Sequence, residues 1–96
     1  MMDINIKKQI KDFFRSKPVL RAYLFGSEAR NESEINSDVD ILVELDYSQP
    51  IGLEFVRMQI ELEELLNKKV DLLSSEGMSK YIQPYINKDK VLIYEK

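Results

Sequence analysis

A chain of 96 residues has room for one domain, and its lack of histidine and cysteine excludes Ser-His-Asp and Cys-His devices, zinc fingers and any imidazole base. Hydrophobic residues at 44% and charged residues at 32% fit a globular core rather than a disordered chain. A net charge of −3 argues against nucleic acid as the main ligand, since that work needs a basic face. In chain order, Asp3 can cap a first helix over 3–16, with Ile6, Ile10, Phe13 and Phe14 on one face and Lys17-Pro18 as its stop. A short strand over 20–25 follows, and Ser27 reads as the N-cap of a brief helical turn through Ala29 and Arg30. After the polar loop 31–37, Val39, Ile41, Val43 and Leu45 alternate with Asp38, Asp40, Leu42 and Glu44, the pattern of a strand with one buried face. A turn at 47–50 leads to a helix over 51–67, a strand over 70–73, a helical stretch over 78–86 that Pro84 must kink or restart, and a last strand over 91–94.

This order predicts an α+β fold spanning 1–96: a small mixed β-sheet with helices packed mainly on one face. No apolar run approaches the ~20 residues of a membrane span. The start MMDINIKK lacks the apolar segment of a signal peptide, so no membrane association and a cytoplasmic location are expected. The helix over 51–67 carries one apolar face of Ile51, Phe55, Met58, Leu62, Leu65 and Leu66, and a second stripe of Leu53, Val56 and Ile60 nearly opposite. The simpler expectation is that the first helix covers the second stripe; left uncovered, the stripe is a docking surface. Glu61, Glu63 and Glu64 read as a solvated helix face.

Chemistry concentrates in LFGSEARNESEINSDVDILVEL. Asp38 and Asp40, two residues apart on a strand, leave the same face and repel, and Asp is a poor strand former. A divalent metal between the carboxylates is the simplest compensation, unless the polar loop runs into an edge strand and leaves both in water. Gly26-Ser27, at the end of the preceding strand, could hold a phosphate on backbone N–H groups and a hydroxyl, although both residues also suit an ordinary strand-to-helix turn. Arg30, one helical turn later, either reaches triphosphate oxygens or is simply an exposed arginine. Two-metal phosphoryl transfer needs a third carboxylate, and Asp71 is the candidate, inside the apolar run Val70-Asp71-Leu72-Leu73 where a lone carboxylate would be costly to bury, unless it faces solvent on an edge strand or pairs with a lysine. Glu44 and Asp46 lie further from the Gly-Ser end.

Gly26-Ser27-Glu28-Ala29-Arg30 followed by Ser37-Asp38-Val39-Asp40 resembles the GSxAR…SDxD signature of polymerase-beta-like nucleotidyltransferases. With the chain's size and Lys69-Val70-Asp71-Leu72-Leu73, it resembles the minimal nucleotidyltransferases, with Asn31 standing where Gly is usual. The resemblance implies that Asp38 and Asp40 hold two metal ions, Mg²⁺ or Mn²⁺, that Asp71 serves the catalytic one, and that Gly26 and Ser27 hold the triphosphate of ATP as substrate. It further implies an antitoxin beside a HEPN-type RNase toxin onto which AMP is transferred. A non-catalytic antitoxin that neutralises its toxin by binding is the alternative, and a small-molecule transferase is disfavoured because no second domain exists to hold that acceptor.

Overall fold

The computed structural model describes residues 4–25, 39–77 and 79–96. Its elements are α1 (Ile4–Phe14), β1 (Val19–Phe25), β2 (Val39–Leu45), α2 (Glu54–Leu66), β3 (Val70–Ser74), α3 (Gln83–Asp89) and β4 (Val91–Glu95). The strands form one sheet in the order β3-β2-β1-β4, with β2 and β3 parallel and the other pairs antiparallel. A parallel pair requires a crossover, and α2 supplies it. The expected α+β architecture is therefore the observed one. Among the described residues no helix is long and apolar enough to cross a membrane.

The core lies between one sheet face and the pair α1 and α2. Ile10 and Phe14 from α1 and Met58, Leu62 and Leu66 from α2 meet Ala22, Leu24, Val39, Ile41, Val43, Val70, Leu72 and Tyr94 from the strands. Burial of these apolar surfaces is the main favourable term, and the close packing makes each side chain costly to shorten. Leu62, with no exposed surface, is a central example. Leu62→Ala is expected to cost ~2–5 kcal/mol, read as a lower urea midpoint at unchanged slope.

The ends of the elements differ from the sequence expectation for local reasons. The helix expected from residue 51 begins at Glu54, because Gly52 adopts φ of 47° and the Glu54 N–H donates to the Ile51 carbonyl (2.8 Å), which makes a turn of the lead-in. Asn67 takes the left-handed conformation that ends α2. The stretch expected to be helical from residue 78 becomes helix only at Gln83. Pro84 stands in the first turn, where its missing N–H costs nothing, and the preceding turn is built on Ser79, whose carbonyl accepts from Ile82 and Gln83. Of the apolar residues spaced through that stretch Ile86 is buried, whereas Tyr81, Ile82 and Tyr85 are exposed. Asp3, the expected cap of α1, lies outside the described residues, and the helix over 3–16 is observed as Ile4–Phe14.

Two expectations about α2 are corrected. The first helix does not cover the second stripe: Leu53, Val56 and Ile60 are 80%, 54% and 52% exposed, because α1 lies on the other flank of α2, beside Leu65. Nor is the acidic cluster merely solvated. Glu61 accepts from Lys17 Nζ at 3.2 Å, and Glu63 Oε2 accepts from the Val70 N–H at 3.3 Å. Lys17 is well shielded, also pairs with Glu54 (3.7 Å), and lies over the Phe13 ring, so the end of α1 is tied to the length of α2.

Asp46 organises the turn after β2. Its carboxylate accepts from the Ser48 hydroxyl and N–H, from Lys96 Nζ and from Gln49 Nε2. These bonds, the Ser48 hydroxyl first, hold its pKa down to about 2. Because the folded pKa lies below the unfolded one, the stabilisation is complete above the ordinary carboxylate range and fades as pH falls toward about 2. Asp46→Asn is therefore expected to melt below the parent at pH 6, with the gap closing on acidification.

Candidate functional site

The face of the sheet away from α1 and α2 carries Asp40, Glu44 and Asp71, with the buried Leu42 between the first two along β2. Val39 and Val70, opposite one another in the parallel β2–β3 register, both enter the core. Strand alternation then turns the next pair, Asp40 and Asp71, to the other face together. They sit on adjacent strands, roughly 4.8 Å apart in backbone. Asp40 is half-buried and Asp71 exposed on the edge strand. Asp71 thus does not bear the burial cost that its apolar neighbours suggested; its distinction is its position beside Asp40.

Backbone contacts fix this register. The Val39 N–H donates to the Lys69 carbonyl (2.9 Å) and the Ser75 N–H to the Val43 carbonyl (2.9 Å), which brackets the paired segment at both ends. The Glu63 bond to the Val70 N–H anchors the residue directly before Asp71 to α2. On the other side, Phe25, the last residue of β1, is the antiparallel partner of Asp40. The covalent successor of Phe25 is Gly26, and the covalent predecessor of Val39 is Asp38. Gly26, Ser27, Arg30 and Asp38 lie outside the described residues, as does the helical turn expected after Ser27.

Glu44 shares the face of Asp40 but stands four residues along the strand, ~13 Å away. It is occupied: Oε1 accepts from Arg21 Nη1 (3.1 Å) and Oε2 from the Tyr23 hydroxyl (2.8 Å), while Arg21 Nε donates to Glu95 (2.8 Å). Lys90 Nζ lies 4.4 Å from the centre of the Tyr23 ring. Burial, then the bond to Glu44, pushes the Tyr23 phenol above its ordinary pKa, so it remains a donor at neutral pH. Glu95 and Glu44 likewise raise Arg21. The sequence offered no sign of this network, because its members lie 21 to 74 positions apart. Asp46, committed to its own turn, is at the far end of β2.

Two carboxylates presented in register are hard oxygen donors of the kind that suit Mg²⁺ or Mn²⁺. Among the described residues no group of three or more Asp, Glu, His or Cys could hold a metal.

The sequence pattern of the family described as polymerase beta, nucleotidyltransferase matches residues 8–96. The chain belongs to this family. Members use a nucleoside triphosphate and a divalent metal, and this nucleotidyltransferase is similar to a Methanocaldococcus jannaschii protein provisionally named a protein adenylyltransferase. The two are 44% identical over 92 residues, covering 95% of this chain and 92% of the relative. Its fold matches a chain in a crystal structure of a toxin-antitoxin with AMP-PNP, at a TM-score of 0.80 and 21% identity, over 94% of this chain and 73% of that one. It also matches a chain in the structure of a tri-AMPylated Shewanella oneidensis HEPN toxin in complex with MNT antitoxin, at a TM-score of 0.75 and 18% identity, over 99% and 74% of the two chains.

Proposed function

We propose that this nucleotidyltransferase transfers AMP from ATP to a hydroxyl of a partner protein, a HEPN-type RNase toxin, and so acts as its antitoxin. The observation that carries the reading is the in-register pair Asp40 and Asp71, at the sheet end that Gly26-Ser27 and Asp38 adjoin in sequence. The protein adenylyltransferase name of the relative and the AMPylated toxin bound to an MNT antitoxin support it.

In this reading Asp38 and Asp40 hold the metal ions, Mg²⁺ or Mn²⁺, and Asp71 contributes on the acceptor side. A metal held by these carboxylates would lower the pKa of the attacking hydroxyl and neutralise charge on the departing pyrophosphate. Gly26 and Ser27 bind the triphosphate, and Arg30 adds a guanidinium to its oxygens. The acceptor oxygen bonds to the α-phosphorus as the bond to pyrophosphate breaks, and the hydroxyl proton passes to a carboxylate, since the chain has no histidine. A small domain offers little wall for a free acceptor, so a protein acceptor must bring its own binding surface.

Incubation of the purified chain with the toxin and Mg²⁺-ATP tests the reading by mass measurement of the toxin. A gain of one or more AMP masses, lost with EDTA, is the expected result. Neutralisation that persists in Asp38→Asn after transfer has gone would assign the antitoxin effect to binding alone.

A further inference from the structure

One edge of the described sheet is formed by β4. β4 is the last strand in the order and pairs with β1 on one side, so its outer edge carries backbone N–H and C=O groups that no described strand uses. Along this edge α1 overhangs the sheet. Lys7, Lys8 and Lys11 form one wall of a groove of about 370 Å³ whose floor is Val91, Leu92 and Ile93. The groove continues past Lys11 along Tyr94 and Glu95. None of the three lysines has an acidic partner among the described residues, in a chain whose net charge is −3. Val91 and Leu92 are exposed apolar residues on the same edge.

We propose that this edge takes an extended acidic segment of a partner protein as a fifth strand. Strand addition uses the free backbone groups for affinity and alternate side chains for selectivity. Side chains of the added strand on the α1 side meet the lysines, and those on the other side meet Leu92. The preferred segment therefore alternates carboxylates with apolar residues. A second copy of this chain is a poor occupant. Two-fold pairing of β4 with β4 would bring both α1 helices to the same face and set lysines against lysines. This inference does not depend on nucleotidyl transfer, because the groove contains none of the residues assigned to that reaction.

The test is an NMR titration of the isotope-labelled full chain with a short synthetic peptide alternating Glu and Val, against a control alternating Lys and Val. Expected are shifts confined to residues 7–11 and 91–95, slowed amide exchange along β4, and weakening by added salt. K7E/K11E, whose changes lie on the surface of α1, is expected to lose about tenfold in affinity for the Glu peptide. Equal binding of the two peptides by the parent chain would overturn the proposal. So would binding without slowed exchange in β4, which indicates carboxylates held only as counterions, or a dimer of the free chain whose contact occupies β4. The peptide comparison and the exchange measurement use the unaltered chain, so they decide the matter even if K7E/K11E folds poorly.

Discussion

Replacing Asp38 and Asp40 together by Asn is expected to lower AMP transfer at least about a thousandfold, equivalent to ~4 kcal/mol of barrier, while the fold survives. Survival follows from the neighbours of Asp40. Val39 and Ile41 are fully buried and set the register of β2 regardless of the side chain between them. The variant is therefore expected to keep a cooperative unfolding transition without metal. Added Mg²⁺ or Mn²⁺ should raise the melting temperature of the parent and leave the variant unmoved, since an ion stabilises only the state that binds it. Full transfer by the double variant, or an equal metal-induced rise, would move the metal site away from this end of the sheet.

Where local pattern and burial point the same way, the sequence was sufficient. The alternation of Val39, Ile41, Val43 and Leu45 predicts a strand with one buried face, and all four residues are buried. Lys17-Pro18 predicts the stop of α1, whereas Pro84, expected to kink or restart a helix over 78–86, stands in the first turn of a helix that begins at Gln83. Apolar spacing also predicts a middle helix from residue 51, because such spacing reports which side chains seek the core and not what backbone carries them. Ile51 does pack against the core, but from a turn in which Gly52 has positive φ. The coverage of Leu53, Val56 and Ile60 depends on which flank of α2 receives α1, a tertiary choice without a local signature. The same applies to Lys17 and Glu61, which are 44 residues apart. The candidate site is an intermediate case. Motif spacing singled out Asp40 and Asp71 one at a time, whereas their pairing needed two further facts: β2 and β3 are parallel neighbours, and each Asp is the second residue of its strand. The apolar neighbours of Asp71 predict a burial cost that it does not bear, because β3 lies at the edge of the described sheet, a tertiary fact without a local signature.

Asp71→Asn is expected to separate binding from chemistry. Its carboxylate is exposed at the edge of the sheet, one strand beyond Asp40 and two beyond Phe25, after which Gly26 and Ser27 follow in the chain. An acceptor approaching from solvent meets this edge, whereas the triphosphate is assigned to the β1 side. Removing the charge of Asp71 should therefore leave the affinity for metal-bound ATP within about threefold while turnover falls a hundredfold or more, the signature of an interaction made mainly in the transition state. Ser27→Ala should behave in the opposite way, with weaker nucleotide binding and residual turnover at saturating ATP. Calorimetry with a non-hydrolysable ATP analogue and single-turnover transfer assays distinguish the two. The fold should be indifferent to Asp71→Asn, since the adjacent Val70 and Leu72 supply the buried contacts of β3 and the bond from the Val70 N–H to Glu63 does not involve the Asp71 side chain. Wild-type turnover in Asp71→Asn would remove it from the reaction. Glu44 would then be the remaining carboxylate on that face of β2, but recruiting it would mean breaking its bonds to Arg21 and Tyr23, so Glu44→Gln would have to impair transfer and release both partners together.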